Sequence, residues 1–274
     1  MTDQGVFIHS TATVHKDAVF DSGVYIGPYS YISNKVSIHK NTHIDVNVTI
    51  EGPTEIGADC HFTSHSVIGG EPQDVTSHGE ETRLVIGCRN KFREFITVNR
   101  GSINGGGITT IGDDNYFMAY THIGHDCIVG NQTIFANGAT LGGHVEIHDH
   151  TYISAFSGIH QFCRVGKYAF LGGFTVITQD VLPFCRVAGM RPPLLYGLNA
   201  IGLRRTGFSR DRIKAIKKMF TLFFFSDLNT SQAVERIKID CPQGEDREEF
   251  LGFVDSSKRG FVKKALEKWE KPME

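Results

Sequence analysis

Large apolar residues recur at every sixth position along much of the chain. The first run is Ile8, Val14, Phe20, Ile26, Ile32, Ile38, Ile44, Ile50, Ile56, Phe62 and Ile68. A short run follows at Ile86, Phe92 and Val98. The third is Ile111, Phe117, Ile123, Val129, Phe135, Leu141, Ile147, Ile153, Ile159, Val165, Leu171 and Ile177. Four places after each large residue stands a small or slim one, such as Ser30, Thr42, Cys60, Cys127, Thr133 or Ala139. Glycine often follows the large residue directly, as at Gly27, Gly57, Gly124 and Gly142, where a turn is expected to need a permissive backbone. A period of six fits neither an amphipathic helix nor an alternating strand. It fits a short strand plus a turn, repeated around a coil, with the large residue inward and the small one beside the bend. The expected fold is mainly β, a parallel β-helix of hexapeptide repeats over residues 1–187.

Two stretches break the period. Residues 69–84, GGEPQDVTSHGEETRL, separate Ile68 from Ile86 by three sixes, which reads as one full turn of coil bulging outward. Residues 99–110, NRGSINGGGITT, separate Val98 from Ile111 by thirteen, which reads as a one-residue insertion. Loops that leave a rigid scaffold commonly carry function. The repeat ends near Val181, and Pro183, Pro192 and Pro193 mark a linker. Residues 188–274 are then a linker and a small α-helical C-terminal domain. Ser209 suits the N-cap of a helix carrying Ile213, Ile216, Phe220 and Phe223 on one face. Helices over Thr230–Ile239 and about Glu245–Val254 follow, and the charged last dozen residues are expected to fray.

Bulk properties narrow the function classes. A formal net charge of -2 over 274 residues gives no support for a nucleic-acid binder. The polar start has no apolar signal core behind it, and the cluster Leu222–Phe225 is far too short to span a bilayer. A cytoplasmic protein with no integral membrane segment is expected. The six cysteines form no CxxC pair, and Cys60, Cys127 and Cys163 fall in the small column, as core filling.

Among the thirteen histidines, His122, His125, His144 and His160 stand out by position. If one coil takes eighteen residues, His125, Gly143, Gln161 and Gln179 form one vertical column. Asp126 and His144 then share the adjacent column. Neighbouring coils lie about 4.8 Å apart. A base, a carboxylate, a glycine N–H and an amide thus converge on one edge. Acyl transfer to a hydroxyl or amine needs such a set. An imidazole takes the nucleophile's proton, a carboxylate orients it, and an unencumbered backbone N–H receives the developing oxyanion. No GxSxG elbow is present, so a covalent serine mechanism is not expected.

The strings HIGHDCIVGN at 122–131, GATLGGH at 138–144, IHQFC at 159–163, QDVLP at 179–183 and GLNAIGLRRTGF at 197–208 are specific, as is PQD at 72–74. Together they resemble the UDP-N-acetylglucosamine acyltransferases that open lipid A biosynthesis, over nearly the whole chain. The resemblance implies a left-handed coil, no cofactor and no metal. It implies transfer of a 3-hydroxyacyl group from acyl carrier protein to the 3-position of a UDP-sugar, in a cytoplasmic homotrimer with sites between subunits. It makes His125 the general base, Asp126 its partner and Gly143 the oxyanion donor. His122, His144, His160 and Gln161 match residues around the sugar nucleotide and acyl chain, and Gln73 and Asp74 match sugar and acyl contacts. Asn199 and Arg205 match the nucleotide-binding region. Gly173 matches a position that leaves room for the chain, with Phe170 and Phe174 beside it able to redirect the groove.

Thr76 stands where many members carry lysine, Met190-Arg191 replaces an Asn-His pair, Ile201 replaces an acidic residue and Thr206 a second arginine. Acyl length and acceptor atom, a 3-hydroxyl or a 3-amino group, stay open. The sister N-acyltransferase carries an extra N-terminal uridine-binding domain, for which hexads beginning at Ile8 are expected to leave no room. Two other classes fit the scaffold. One is a zinc lyase resembling γ-class carbonic anhydrase, with His122, His125 and His144 as ligands. The other is a small-acetyl transferase or a catalytically silent scaffold.

Overall fold

The computed structural model describes residues 5–262, so the charged last dozen residues lie outside the described part. The hexads wind into a left-handed parallel β-helix. Every third strand joins the same sheet, giving three faces. Face A holds Tyr25–Ile26, His43–Ile44 and Lys91–Phe92; face B holds Thr49–Ile50 and His122–Ile123; face C holds Thr54–Ile56 and Ile128–Val129. The large column is the core, with Ile26, Ile44, Phe62, Phe117 and Leu171 at 0% exposure.

Each corner is one repeated turn. Its third residue adopts a left-handed backbone, as at Asn47 (φ 56°), Asp126 (φ 59°), His144 (φ 59°) and Phe162 (φ 65°). Such a φ is uncommon outside glycine. Here an inter-coil hydrogen bond holds it: Asn47 N–H donates to Pro28 O at 3.0 Å, and His144 N–H to His125 O at 2.9 Å. The glycine after the large residue therefore serves another purpose than the expected one. A Cβ on Gly27 would lie 2.7 Å from the Asp45 carbonyl carbon, and one on Gly57 2.5 Å from that of Gly87. These glycines let successive coils approach; the positive φ falls two residues later. The small column fills the corner and satisfies it. Ser30 Oγ donates to Asp45 O at 2.7 Å, Thr42 Oγ1 to Gly57 O at 2.8 Å and Cys127 Sγ to Gly142 O at 3.1 Å. All six cysteines are free, and burial pushes the Cys127 thiol up to about 12.

The two interruptions differ from their sequence reading. Ile68 lies on face B and Ile86 on face C, so the intervening stretch is a single corner crossing. Phe62 pairs with Phe92, thirty residues on, where a plain coil would use eighteen: the insertion is twelve residues at one corner and not a whole turn. Val98 pairs with Ile123, twenty-five residues on, so the second insertion is seven residues and not one. It sits at the same B–C corner, one coil later. The core continues through both. Phe62, Phe92, Phe117 and Phe135 stack inside face A with centroids 4.5, 4.7 and 4.9 Å apart. Each such pair contributes about 0.5–1.5 kcal/mol beyond its buried area.

The expected linker also differs. Cys185–Ala188 adds to face A in parallel, and Leu194–Leu198 folds back on it antiparallel. The boundary expected at 187/188 thus falls inside a strand. Pro192 and Pro193 occupy the hairpin's turn, where no ladder N–H is required. Among the described residues four helices follow: α1 (Ala200–Arg205), α2 (Arg210–Phe224), α3 (Thr230–Asp240) and α4 (Glu245–Ser256). Ser209 caps α2 by accepting the Arg212 N–H, and Ile216 and Phe220 are buried on its inner face. The sequence pattern missed α1, which is too short for its periodicity to show.

Candidate active site

The B–C corner gathers the polar residues. His125, Gly143 and Gln161 occupy the middle corner position of successive coils; Asp126, His144 and Phe162 occupy the left-handed position. His125 Nδ1 lies 2.7 Å from Asp126 Oδ2. A carboxylate accepts only, so the ring proton sits on Nδ1 and the lone pair on Nε2. The Asp126 side chain is 1% exposed and that of His125 12%. His144 stands edge-on to His125 at 5.1 Å, with Nε2 3.8 Å from Asp126 Oδ2, and stacks on Phe162 at 4.4 Å. A Cβ on Gly143 would come 2.6 Å from His125 Nε2, so only glycine leaves that nitrogen accessible. Among the described residues no acceptor takes the Gly143 N–H.

The first insertion reaches over this corner. Asp74 Oδ1 accepts from Thr76 N–H at 2.9 Å and Thr76 Oγ–H at 2.8 Å. These two bonds hold its carboxyl below the usual carboxylate range, and the fields of His125 and His144 act in the same direction. Gln73 is exposed beside it. His122 points outward from face B with Nδ1 2.7 Å from Thr97 Oγ1. Burial, then the charge of His125, pushes its imidazole downward and favours the neutral ring. His160 is exposed, with Nδ1 3.1 Å from Gln161 O.

Three expected residues lie elsewhere in the single chain. Gly173 is at the A–B corner, between Leu171 on face A and Phe174. A Cβ there would meet only Ala155 O, at 3.5 Å, so the position is open. Asn199 caps α1: Oδ1 accepts the Gly202 N–H at 3.1 Å, and Nδ2 donates to Tyr168 O at 2.9 Å. Arg205 is exposed at the end of α1. Sequence reasoning passed over Ser102 and Thr109, which close around Asp126. Counting hexads by face would have placed their insertion at this corner.

By distance alone, a cation fits among His125, Asp126 and His144. This is not the set weighed from sequence, since His122 stands apart. Asp126 Oδ2 already accepts from His125 and from Ser102 Oγ–H and N–H, which leaves it a poor ligand.

Residues 180–262 match the family described as "Udp N-acetylglucosamine O-acyltransferase; Domain 2". Residues 35–70 and 108–143 match "Bacterial transferase hexapeptide (six repeats)". The acyl-[acyl-carrier-protein]--UDP-N-acetylglucosamine O-acyltransferase of Stenotrophomonas maltophilia is 43% identical over 96% of this chain and 100% of its own. The enzyme of the same name from Thermodesulfovibrio yellowstonii is 43% identical over 93% and 99%. The chain belongs to the UDP-N-acetylglucosamine O-acyltransferase family. The solved acyltransferase of Francisella novicida superposes with a TM-score of 0.91, at 35% identity over 93% of this chain and 94% of that one. Family membership accounts for the helical end as well as the hexads and does not favour the lyase.

Proposed function

We propose that this protein moves a 3-hydroxyacyl chain from acyl carrier protein to the 3-hydroxyl of UDP-N-acetylglucosamine, the opening step of lipid A biosynthesis. One observation carries the chemistry: Asp126 holds His125 Nδ1–H, leaving Nε2 free beside an unclaimed Gly143 N–H. In this reading Nε2 takes the proton as the sugar oxygen attacks the thioester carbon. Asp126 stabilises the imidazolium. The Gly143 N–H receives the charge on the former carbonyl oxygen, worth roughly 10²–10³ in rate. As the tetrahedral intermediate collapses, the C–S bond breaks and the imidazolium returns its proton to the departing carrier thiol.

Asp74, Gln73, His122, His144, His160 and Gln161 then line the sugar and acyl subsites on the same edge. Gly173 and Arg205 support the reading only if another copy supplies them, since both lie away from His125 within one chain. A homotrimer with sites between subunits meets that need. The exposed rings of Phe95, Tyr120, Phe156 and Phe174 along the A–B corner supply apolar surface for it. No cofactor enters the steps.

The deciding experiment supplies the purified protein with a panel of acyl carrier protein thioesters and either UDP-N-acetylglucosamine or its 3-amino analogue. Mass spectrometry should show an ester on the former, for a 3-hydroxyacyl donor. Product from the amino sugar alone would move the acceptor to nitrogen, and no product from either would overturn the reading.

A further inference from the structure

The second insertion meets the Asp126–His125 pair through one buried residue. Ser102 is 2% exposed and precedes the one-turn helix Ile103–Gly105. A serine at that position ordinarily turns its hydroxyl onto its own helix. Ser102 does not. Its Oγ–H donates to Asp126 Oδ2 at 2.6 Å, and its N–H reaches Oδ1 at 2.9 Å and Oδ2 at 3.0 Å. From the other side, Thr109 Oγ1 accepts the Asp126 N–H at 2.8 Å, where a regular coil would offer a carbonyl. A Cβ on Gly105 would overlap the Asp126 carboxylate, so the loop closes onto it only with glycine there.

The seat is braced in turn. Gly105 and Gly107 N–H donate to Ser102 O at 3.0 and 2.8 Å. Arg100 N–H reaches Gly70 O at 2.9 Å, and Asn99 Nδ2 reaches Glu71 O at 2.6 Å. Asn104 Nδ2 donates to Thr76 Oγ1 at 3.2 Å, and Thr76 holds Asp74. The two insertions thus form one bonded body around the corner.

A carboxylate's terminal torsion is broad. Left alone, Asp126 could offer either oxygen at varied angles. We propose that Ser102 is a positioning residue for the reaction: it fixes Asp126 Oδ2 against His125 Nδ1 and so aims the free Nε2 at the acceptor hydroxyl. This rests on the proposed role of His125.

The test uses the whole 274-residue chain and three variants: Ser102→Ala, Ser102→Thr, and Ser102→Cys, which keeps the side-chain shape, slightly enlarged, with only a weak donor. With Ser102→Ala, kcat should fall about tenfold to a hundredfold, the scale of a small misplacement of a reacting group. Both KM values should stay within about threefold, since no ground-state contact is lost. In protein labelled with ¹⁵N-histidine, the His125 Nδ1–H proton should broaden by exchange or vanish. Ser102→Thr should restore both readouts. If Ser102→Ala does not fold, Ser102→Cys should show the same loss. An unchanged kcat, a rise in KM at constant kcat, or a persistent Nδ1–H signal would overturn the proposal. The resonance reads the seat without turnover. A wild type that shows it but transfers no acyl group would therefore overturn the functional reading and leave the seat standing.

Discussion

Two corners of the same prism use the same turn and end in opposite states. At the C–A corner the middle position carries Cys88, Asp113, Asn131 and Asp149 in successive coils. The side chains of Asp113, Asn131 and Asp149 each cap the amide of the coil before. Cys88 N–H donates to Asp113 Oδ1 at 2.8 Å, Asp113 N–H to Asn131 Oδ1 at 2.7 Å and Asn131 N–H to Asp149 Oδ1 at 2.8 Å. At the B–C corner that position holds His125, Gly143 and Gln161. Glycine has nothing with which to cap His125. Gln161, one methylene longer than Asn131, leaves the Gly143 N–H unclaimed among the described residues. The C–A corner thus spends three of these amides on side-chain caps, whereas among the described residues no acceptor takes the N–H of His125, Gly143 or Gln161 at the corner proposed to react.

Filling the open corner should hurt most. Gly143→Ala places a methyl against His125 Nε2. Turnover should drop about 10³-fold or more, combining a displaced base with an obstructed oxyanion donor, each worth roughly 10² in steady-state assays. Next comes Gln161→Asn, which reproduces the Asn131 geometry and caps the Gly143 N–H. A loss in kcat of about 10²-fold, the worth of one oxyanion donor, is expected. Unchanged kcat would mean that the free amide does nothing.

The C–A corner should respond in stability alone. Asn131→Ala removes the cap on Asp113 and the 3.1 Å bond to Asp149. About 1 kcal/mol should be lost, read as a melting temperature lower by roughly 2–4 °C with unchanged kcat. The smallest effect belongs to His39, at an earlier turn of that corner. Its hydrogen bond to Asp21, at 2.9 Å, raises its pKa above the ordinary 6.5, although partial burial works the other way. A raised folded value contributes stability below the unfolded pKa and loses it as pH rises through the folded one. His39 is well exposed, so the contribution is under about 0.5 kcal/mol. His39→Gln should lower the melting temperature by about 1 °C at mildly acidic pH and not at all at alkaline pH.

The hexad period made the prism legible because a residue that must point inward at every corner leaves a mark in each repeat. It also gave the vertical register that sets His125 against Gly143, since coils of eighteen residues stack without drift. The insertions were harder. Multiples of six disguise twelve extra residues as part of a coil, and only the pairing of Phe62 with Phe92 shows one corner to be involved. Ser102 left no signal because its partner is twenty-four residues away across that insertion. The hairpin over Cys185–Leu198 was hidden by its prolines, which mark turns and linkers alike. Gly173 and Arg205 have motif matches but lie away from His125 in one chain, because periodicity describes a subunit and not its neighbours.

His125 is the proposed base at the open corner. The most direct measurement is single-turnover acyl transfer by wild type and His125→Ala, with melting curves for both. Transfer falling by about 10³-fold or more at an unchanged melting temperature is the predicted result. Transfer retained within a few-fold would contradict it.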